Sequence, residues 1–492
     1  MKRIANALGQ LSCGKKAYVV VVLCATTAIA SPAQTLTTLH SFNGTDGQAP
    51  TAALVQATNG DLYGTTYNGG ANGAGLGTVF KVTPSGTLTT LHSFAGYPTD
   101  GALPYAALVQ ATNGYLYGTA YNGGANGAGD GMIFKITPSG TLTTLYNFCS
   151  QYNGFTCTDG NGPYGELIQA GNRNLYGTTL YGGTHGNGTV FKITPSGMLT
   201  VLYSFCSHSG CTDGANPWAG LVQAANANFY GTTAYGGANG NYGTVFRITP
   251  SGTLTVLYSF CSQSGCTDGA NPWAGLVQAA DGNFYGTTRH GGANGHGTVF
   301  KITPSGTLTT LHSFCSQSGC TDGDQPAAGL VPATSGDLYG TTLFGGTSTN
   351  CSGACGTVFK ITPSGTLTTL YSFDGADGYG PNGLVQATNG RFYGTAGSGG
   401  AYGDGTVFSL SVGLGPFVKT LPTSGEAGAA VKILGSLLTG ATSVSFNGTA
   451  ATFTVVSRYL ITTTVPAGAT TGKVQVVTPS GALSSNVPFR VP

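Results

Sequence analysis

The chain has little charge. Of its 492 residues, 18 are Lys or Arg and 16 are Asp or Glu, so charged side chains make up only 7%. A nucleic-acid surface and a solvated acidic tail both need charge of one sign in quantity, and neither can be built here. Glutamate is scarcer still, at Glu166 and Glu426 alone, and tryptophan is confined to Trp218 and Trp273. No apolar run reaches the roughly 20 residues of a membrane span. There is no Ser-His-Asp signature, no phosphate loop and no His-Glu-x-x-His zinc helix. The Gly-Gly-Ala-Asn-Gly stretches lack the regularly repeated Asp of calcium nonapeptides and read as turns.

The apolar run from Tyr18 to Ala30 follows Lys2, Arg3, Lys15 and Lys16, and Ala28-Ile29-Ala30 offers small residues for cleavage, with Ala33 as an alternative cut. This pattern predicts a signal peptide over 1–30 and an exported protein, whether secreted, at the cell surface or periplasmic. Cys13 and Cys24 lie inside it, and Leu23 before Cys24 makes a poor lipid-attachment box. Cleavage removes four basic residues and leaves 14 basic against 16 acidic, a net of −2. No basic patch survives, so neither nucleic acid nor a membrane span is expected of the mature chain. The ten remaining cysteines fall into local pairs: Cys149 with Cys157, Cys206 with Cys211, Cys261 with Cys266, Cys315 with Cys320, and Cys351 with Cys355. Even, local pairing behind an export signal predicts disulfides. Zinc sites favour a two-residue spacing and regular histidines, which these pairs lack.

What the chain has in abundance is repetition. Leu-Tyr-Gly or Phe-Tyr-Gly recurs at Tyr63, Tyr117, Tyr176, Tyr230, Tyr285, Tyr339 and Tyr393, at intervals of 54, 59, 54, 55, 54 and 54 residues. In the fifth unit Leu276–Ala279, Phe284–Thr288, Gly297–Thr303 and Thr307–Phe314 are β-branched or aromatic runs, bounded by Asp281-Gly282, the Gly291–Gly295 stretch and Pro304-Ser305-Gly306. Such runs between turn residues predict four strands, and the unit has no helical period. Copies of a small antiparallel sheet that cannot bury both faces alone stack radially. The fold class expected is therefore all-β: a seven-bladed β-propeller over 31–412. The Thr-Leu-Thr-Thr-Leu phrase beginning at Thr35 would supply the strand that the last unit lacks, closing the ring and removing its edges. An open β-solenoid is the alternative.

The phrases Gly-Leu-Val-Gln-Ala, Phe-Tyr-Gly-Thr-Thr and Gly-Thr-Val-Phe-Lys-Ile-Thr-Pro-Ser-Gly within 275–306 resemble the GloVer-type tandem repeat of bacterial exported proteins with a choice of C-terminal anchors. The resemblance spans 35–412 and implies a repeat architecture and a surface or secreted location, with no particular reaction. No hydrophobic tail or sorting motif precedes Arg490-Val491-Pro492, a departure from the family pattern that leaves the mode of anchoring open. From Gly415 the period vanishes. Val431–Gly435, Val444–Gly448, Val465–Gly468 and Gly472–Val476 are short strands with Gly and Pro turns, predicting a small β-sandwich over 415–492. They resemble the IPT/TIG immunoglobulin-like domain, which implies a spacer or interaction module.

Candidate sites follow from the loops. Turns between strands one and two, and between three and four, are short and uniform, whereas the other connections share the opposite face and carry all five cysteine pairs. Variable loops on a rigid frame are where binding is expected, although longer loops also simply tolerate change. On that face Tyr105, Tyr164, Trp218 and Trp273 enter the first strands of four successive units, each after a proline. An arc of aromatic rings suits sugar or other planar ligands; the alternative is that these rings plug gaps between strands. Asp46, Asp100, Asp159, Asp213, Asp268, Asp322 and Asp377, each followed by Gly, could gather calcium, but recurrence in every unit favours an Asx turn, and no cofactor or metal is expected. Catalytic candidates are few. Glu166 replaces the Ala or Gly of other units, and with His185, His290 or Arg289 it could act as a general acid. The paired carboxylates of glycosidases are missing. His40, His92 and His312 stand where Tyr203 and Tyr258 stand in other units, which argues against a base. The sequence thus predicts a secreted or surface binding protein without catalysis, its partner extracellular carbohydrate or a surface protein. The alternatives are a polysaccharide-active lyase or hydrolase, or a structural envelope protein.

Overall fold

The computed structural model describes residues 34–73, 75–127 and 129–492. The expected signal peptide, with Cys13 and Cys24, lies outside these residues. Among them the regular secondary structure is strand, apart from three-residue 3-10 turns at Ser209–Cys211, Ser264–Cys266 and Ser318–Cys320, each inside a cysteine loop. No helix among the described residues is long and apolar enough to cross a membrane.

The repeats form seven four-stranded antiparallel sheets. In the fifth unit the strands are Val277–Gln278, Phe284–Thr288, Thr298–Ile302 and Leu308–Ser313, paired in chain order. The first strand of this unit pairs over only two residues, and the first strands of adjacent sheets approach closely. A Cβ on Gly383 would lie 2.7 Å from Ala53 Cβ, and one on Gly220 would lie 2.4 Å from the Glu166 carbonyl. The recurring Tyr-Gly phrase has a packing cause. Tyr63 is fully buried and its hydroxyl is bonded by Asn59 Nδ2 at 2.9 Å. Beside it, a side chain on Gly64 would strike Leu54 and the Phe80 ring, both at 2.6 Å. Tyrosine thus fills one face of the strand, and glycine makes room for leucine and phenylalanine on the other.

Contacts between sheets repeat around the array and return to its start. Phe94, Phe148, Phe205, Phe260, Phe314 and Phe373 each meet a phenylalanine of the following sheet edge-on, at centroid distances of 5.1–5.5 Å. Phe42, at the end of the first strand of the chain, meets Phe80 in the same way at 5.2 Å. That strand, Thr35–Ser41, is the fourth strand of the last sheet and pairs antiparallel with Thr406–Ser411. A second cyclic set joins glycine to proline. Gly77, Gly131, Gly188, Gly243, Gly297 and Gly356 abut Pro104, Pro163, Pro217, Pro272, Pro326 and Pro381, and Gly405 abuts Pro50. These glycines all have positive φ, between 81° and 99°, where an L side chain would be strained as well as obstructed. Thr395 Oγ1 likewise donates to Ala52 O at 2.8 Å across the joint, as Thr65 does to Ala106 O at 3.0 Å within the array.

Residues after 415 form two further four-stranded sheets, one containing Ala430–Leu434 and Leu460–Thr464, the other Ser443–Phe446 and Val474–Thr478. Their inner faces share a core of Val418, Ile433, Leu438, Phe446, Ile461, Val476 and Phe489. This sandwich docks on the short-turn side of the repeats. Lys432 Nζ donates to Thr112 O at 2.9 Å, Ser436 Oγ to Thr388 O at 3.1 Å, and Arg490 Nη2 to Gln278 Oε1 at 3.1 Å. Tyr459 presses its ring on Gly60, where a Cβ would lie 2.7 Å away. Units one, two, five and seven are all engaged, so the sandwich covers one face of the array.

Candidate functional site

With one face covered, the variable loops define the other. The five expected disulfides are formed, Cys149–Cys157 closing eight residues, the next three pairs five each and Cys351–Cys355 four. The seven aspartates lie in these loops, but they do not make the expected Asx turn. Each carboxylate instead joins the loop to the fourth strand of its sheet. Tyr146, Tyr203 and Tyr258 donate to Asp159, Asp213 and Asp268 at 2.7, 2.8 and 2.7 Å, and Tyr371 donates to Asp377. His40, His92 and His312 take the tyrosine's place against Asp46, Asp100 and Asp322 at 2.8, 2.6 and 3.0 Å. Burial alone would raise the Asp213 carboxyl, but the Ser207 N–H, the Tyr203 hydroxyl and Ser207 Oγ outweigh it and hold it below the ordinary value. Burial, and after it the carboxylates of Asp213 and Asp268, push the Tyr203 and Tyr258 phenols up to about 12, against the opposing bonds from Ser207 and Ser262. The aspartates are loop clasps, and the histidines are their hydrogen-bond partners.

The four aromatics of the arc come together. Tyr105 and Tyr164 lie 3.9 Å apart, Tyr164 and Trp218 4.7 Å, and Trp218 and Trp273 stack at 4.4 Å with only 16° between their planes. Arg289 closes the series, its guanidinium 3.7 Å from the Trp273 ring. Tyr67 and Tyr121, one strand further out, meet Tyr105 and Tyr164 edge-on at 5.5 and 5.7 Å. The result is a ladder of rings bridging four sheets. Most ring faces are spent on one another, so ring edges, hydroxyls and the guanidinium are what the ladder presents. Burial pushes the Tyr164 phenol well above its ordinary value and draws Arg289 down. Arg289 Nε donates to Gln325 at 3.1 Å, and its Nη groups have no hydrogen-bond acceptor among the described residues. The indole N–H groups of Trp218 and Trp273 are buried and likewise unpartnered. Donors at the ladder therefore outnumber acceptors.

Glu166 lies two residues beyond Tyr164, just ahead of the strand Ile168–Gln169. Its side chain has solvent-accessible surface, yet protein surrounds it closely, as on the wall of a narrow space. Burial without a counter-charge raises its carboxyl. It makes no hydrogen bond or ion pair with His185, His290 or Arg289 among the described residues, so the constellation imagined for a general acid is not assembled. His290 is drawn down by burial and by Arg289 beside it. His185 belongs elsewhere, in a surface depression of about 520 Å³ with Tyr152, Phe155 and Tyr181. Neither that group nor the stacking role of Arg289 was foreseen; the eight-residue Cys149–Cys157 loop, longer than its counterparts, is the signal that marks Tyr152 and Phe155 as peculiar to the third unit.

Comparison with solved structures finds an all-β fold in common. A fungal alcohol oxidase of the AA5 family, in complex with copper, aligns over 93% of this chain and 98% of its own, with a TM-score of 0.51 and 13% identity. A putative 6-phosphogluconolactonase from Bacteroides uniformis aligns over 66% of this chain and 86% of its own, at TM-score 0.44 and 14% identity. PorZ, a surface component of the type-IX secretion system of Porphyromonas gingivalis, aligns over 92% of this chain and 60% of its own, at TM-score 0.47 and 14% identity. No curated protein sequence matches. The sequence profile of the Gloeobacter/Verrucomicrobia repeat matches residues 26–157, 151–350 and 317–452, and that of the IPT/TIG domain matches 417–491. The chain accordingly belongs to the Gloeobacter/Verrucomicrobia repeat family and carries an IPT/TIG domain after its repeats.

Proposed function

We propose that this is an exported, non-catalytic binding protein, a closed seven-bladed propeller that takes extracellular carbohydrate on its variable face. The observation that carries this reading is the inequality of the two faces. The IPT/TIG domain occupies the short-turn side through Lys432, Ser436, Tyr459 and Arg490. The opposite side keeps the disulfide-pinned loops, the aromatic ladder and Arg289. The cyclic phenylalanine and glycine–proline contacts support the closed ring, and five disulfides fit a protein that folds outside a reducing compartment. At the mouth, Tyr105, Tyr164, Trp218 and Trp273 form a rigid floor, and the unpartnered donors of Arg289 meet the hydroxyls or carboxylates of a glycan. Preorganised donors bind with less ordering than flexible ones.

The test is a glycan-binding array on residues 34–492 beside an Arg289→Met variant and a Trp218→Ala/Trp273→Ala variant. Binding by the wild type that weakens in both variants supports a mouth site; a folded wild type that binds no glycan overturns the reading. A lyase or hydrolase remains the second reading because Glu166 is an isolated carboxyl raised above its ordinary value by desolvation. Turnover of a polysaccharide that is abolished in Glu166→Gln would establish it.

A further inference from the structure

The aromatic ladder at the mouth has few free ring faces, but the third unit has them nearby. Phe155 is 94% exposed, Tyr152 64% and Tyr181 45%, and Phe155 is the only exposed phenylalanine among the described residues. None of the three rings stacks on another aromatic ring among the described residues. An apolar ring left in water by a fold that wholly or partly buries its other phenylalanines marks a contact surface. All three line the depression of about 520 Å³, a size within the range of small-ligand sites, together with Thr156, Thr184 and His185.

The loop holding Phe155 and Tyr152 is fixed. The Cys149–Cys157 disulfide closes it, Asn153 N–H bonds Thr156 O at 3.2 Å, and Asn153 Oδ1 accepts from the N–H groups of Phe155 and Thr156, each at 3.0 Å. The depression's lining carries no Lys, Arg, Asp or Glu. The hydroxyls of Thr156 and Thr184 and the His185 ring make no hydrogen bond to the described residues, leaving them free for a ligand. Free ring faces, neutral surroundings and uncommitted hydroxyl-type donors and acceptors describe the chemistry of an uncharged sugar ring. Tyr181 also connects this place to the mouth: its hydroxyl lies against that of Tyr121, which meets Tyr164 edge-on.

We propose that the depression between the Cys149–Cys157 loop and Tyr181–Gly186 is a subsite for a neutral sugar unit, with Phe155 and Tyr152 stacking on it and Thr156, Thr184 and His185 bonding its hydroxyls. This rests on the variable face being the binding face. The test uses the full exported chain on an array of neutral and acidic oligosaccharides, with Tyr152→Ala/Phe155→Ala as the variant and Tyr402→Ala as a control at another exposed tyrosine. The expected result is a loss of at least about tenfold in affinity for neutral glycans in the double variant, an unchanged melting temperature, and no loss in the control. Neutral-glycan binding that the double variant keeps, but that the Arg289→Met variant loses, overturns the subsite and leaves the mouth reading standing. Binding confined to acidic glycans, or to a protein partner, overturns the ligand class. Absence of any glycan binding by the wild type overturns both.

Discussion

Arg490 Nη2 of the IPT/TIG domain stands 3.1 Å from Gln278 Oε1 in the fifth unit. Elsewhere the glutamine at this position bridges neighbouring sheets. Gln110, Gln169, Gln223, Gln386 and Gln56 accept the backbone N–H of Thr58, Thr112, Gly171, Thr334 and Thr388 in the preceding unit, at 2.8–3.2 Å. At Gln278 the belt is interrupted, and the sixth unit has Pro332 in place of glutamine. Arg490 therefore satisfies the acceptor that the neighbouring sheets leave open. Arg490→Met is expected to lose about 1–3 kcal/mol, the cost of an unsatisfied, partly buried group. Together with Lys432→Met it is expected to split one calorimetric transition into two; two separate transitions already in the wild type would show that the domain is only tethered.

Lys419 gives a pH signature to the same interface. Burial lowers its ammonium from 10.5 to about 8, while Nζ donates to Gln386 O at 2.6 Å. Between these two values the unfolded chain binds more protons than the folded one, so stability rises with pH across that window. From pH 8 to 10 the gain is expected to be on the order of 1 kcal/mol, discounted for partial solvent contact. Denaturant midpoints of the wild type and Lys419→Met measured at pH 7.5 and 9.5 check this: the rise is expected in the wild type and much reduced in the variant.

Glu166 works in the opposite sense. Its folded carboxyl is raised above the unfolded value, so the folded state is favoured at low pH and loses that advantage as pH rises through the folded value. Glu166→Gln is expected to raise the melting temperature at pH 7.5 and to change it little at pH 4. Destabilisation at pH 7.5 would mean that the carboxylate has a partner in solution.

Because the chain has only two tryptophans, stacked at 4.4 Å, each reports on the other. An exciton couplet is expected in the circular dichroism spectrum and should vanish in Trp218→Phe. Trp218→Ala is expected to cost about 2–3 kcal/mol, less than a fully buried tryptophan, through lost packing against Tyr164 and Trp273. A spectrum of Trp218→Phe that matches the wild type would show that the ladder is not stacked.

Much of the fold was legible because it repeats. The Tyr-Gly phrase marks the second strand of every sheet, and the stray phrase at Thr35 announced the strand that pairs with Thr406–Ser411. Periodicity averages away whatever happens once. Arg289, Glu166 and the Cys149–Cys157 insertion are single departures, and what they touch depends on neighbours some tens of residues away. The aromatics were visible at Tyr105, Tyr164, Trp218 and Trp273, but their mutual stacking was not, since sequence gives position on a strand and not which way a ring turns. The aspartates misled for a related reason: a conserved-looking Asp-Gly pair resembles a turn, whereas its partner is a tyrosine or histidine six to thirteen residues upstream. Docking of the IPT/TIG domain through Lys432 and Arg490 lay beyond any local pattern.

The central claim is a closed ring with one covered and one free face, and hydrogen–deuterium exchange on the full exported chain tests it most directly. The account predicts that the amides of Thr35–Ser41 exchange as slowly as those of Leu308–Ser313 in a mid-chain sheet. It also predicts protection at residues 58–61 and 112–115 under the IPT/TIG domain and rapid exchange at 151–156 and 184–186. Fast exchange throughout Thr35–Ser41, or equal exchange of the turns on both faces, would contradict it.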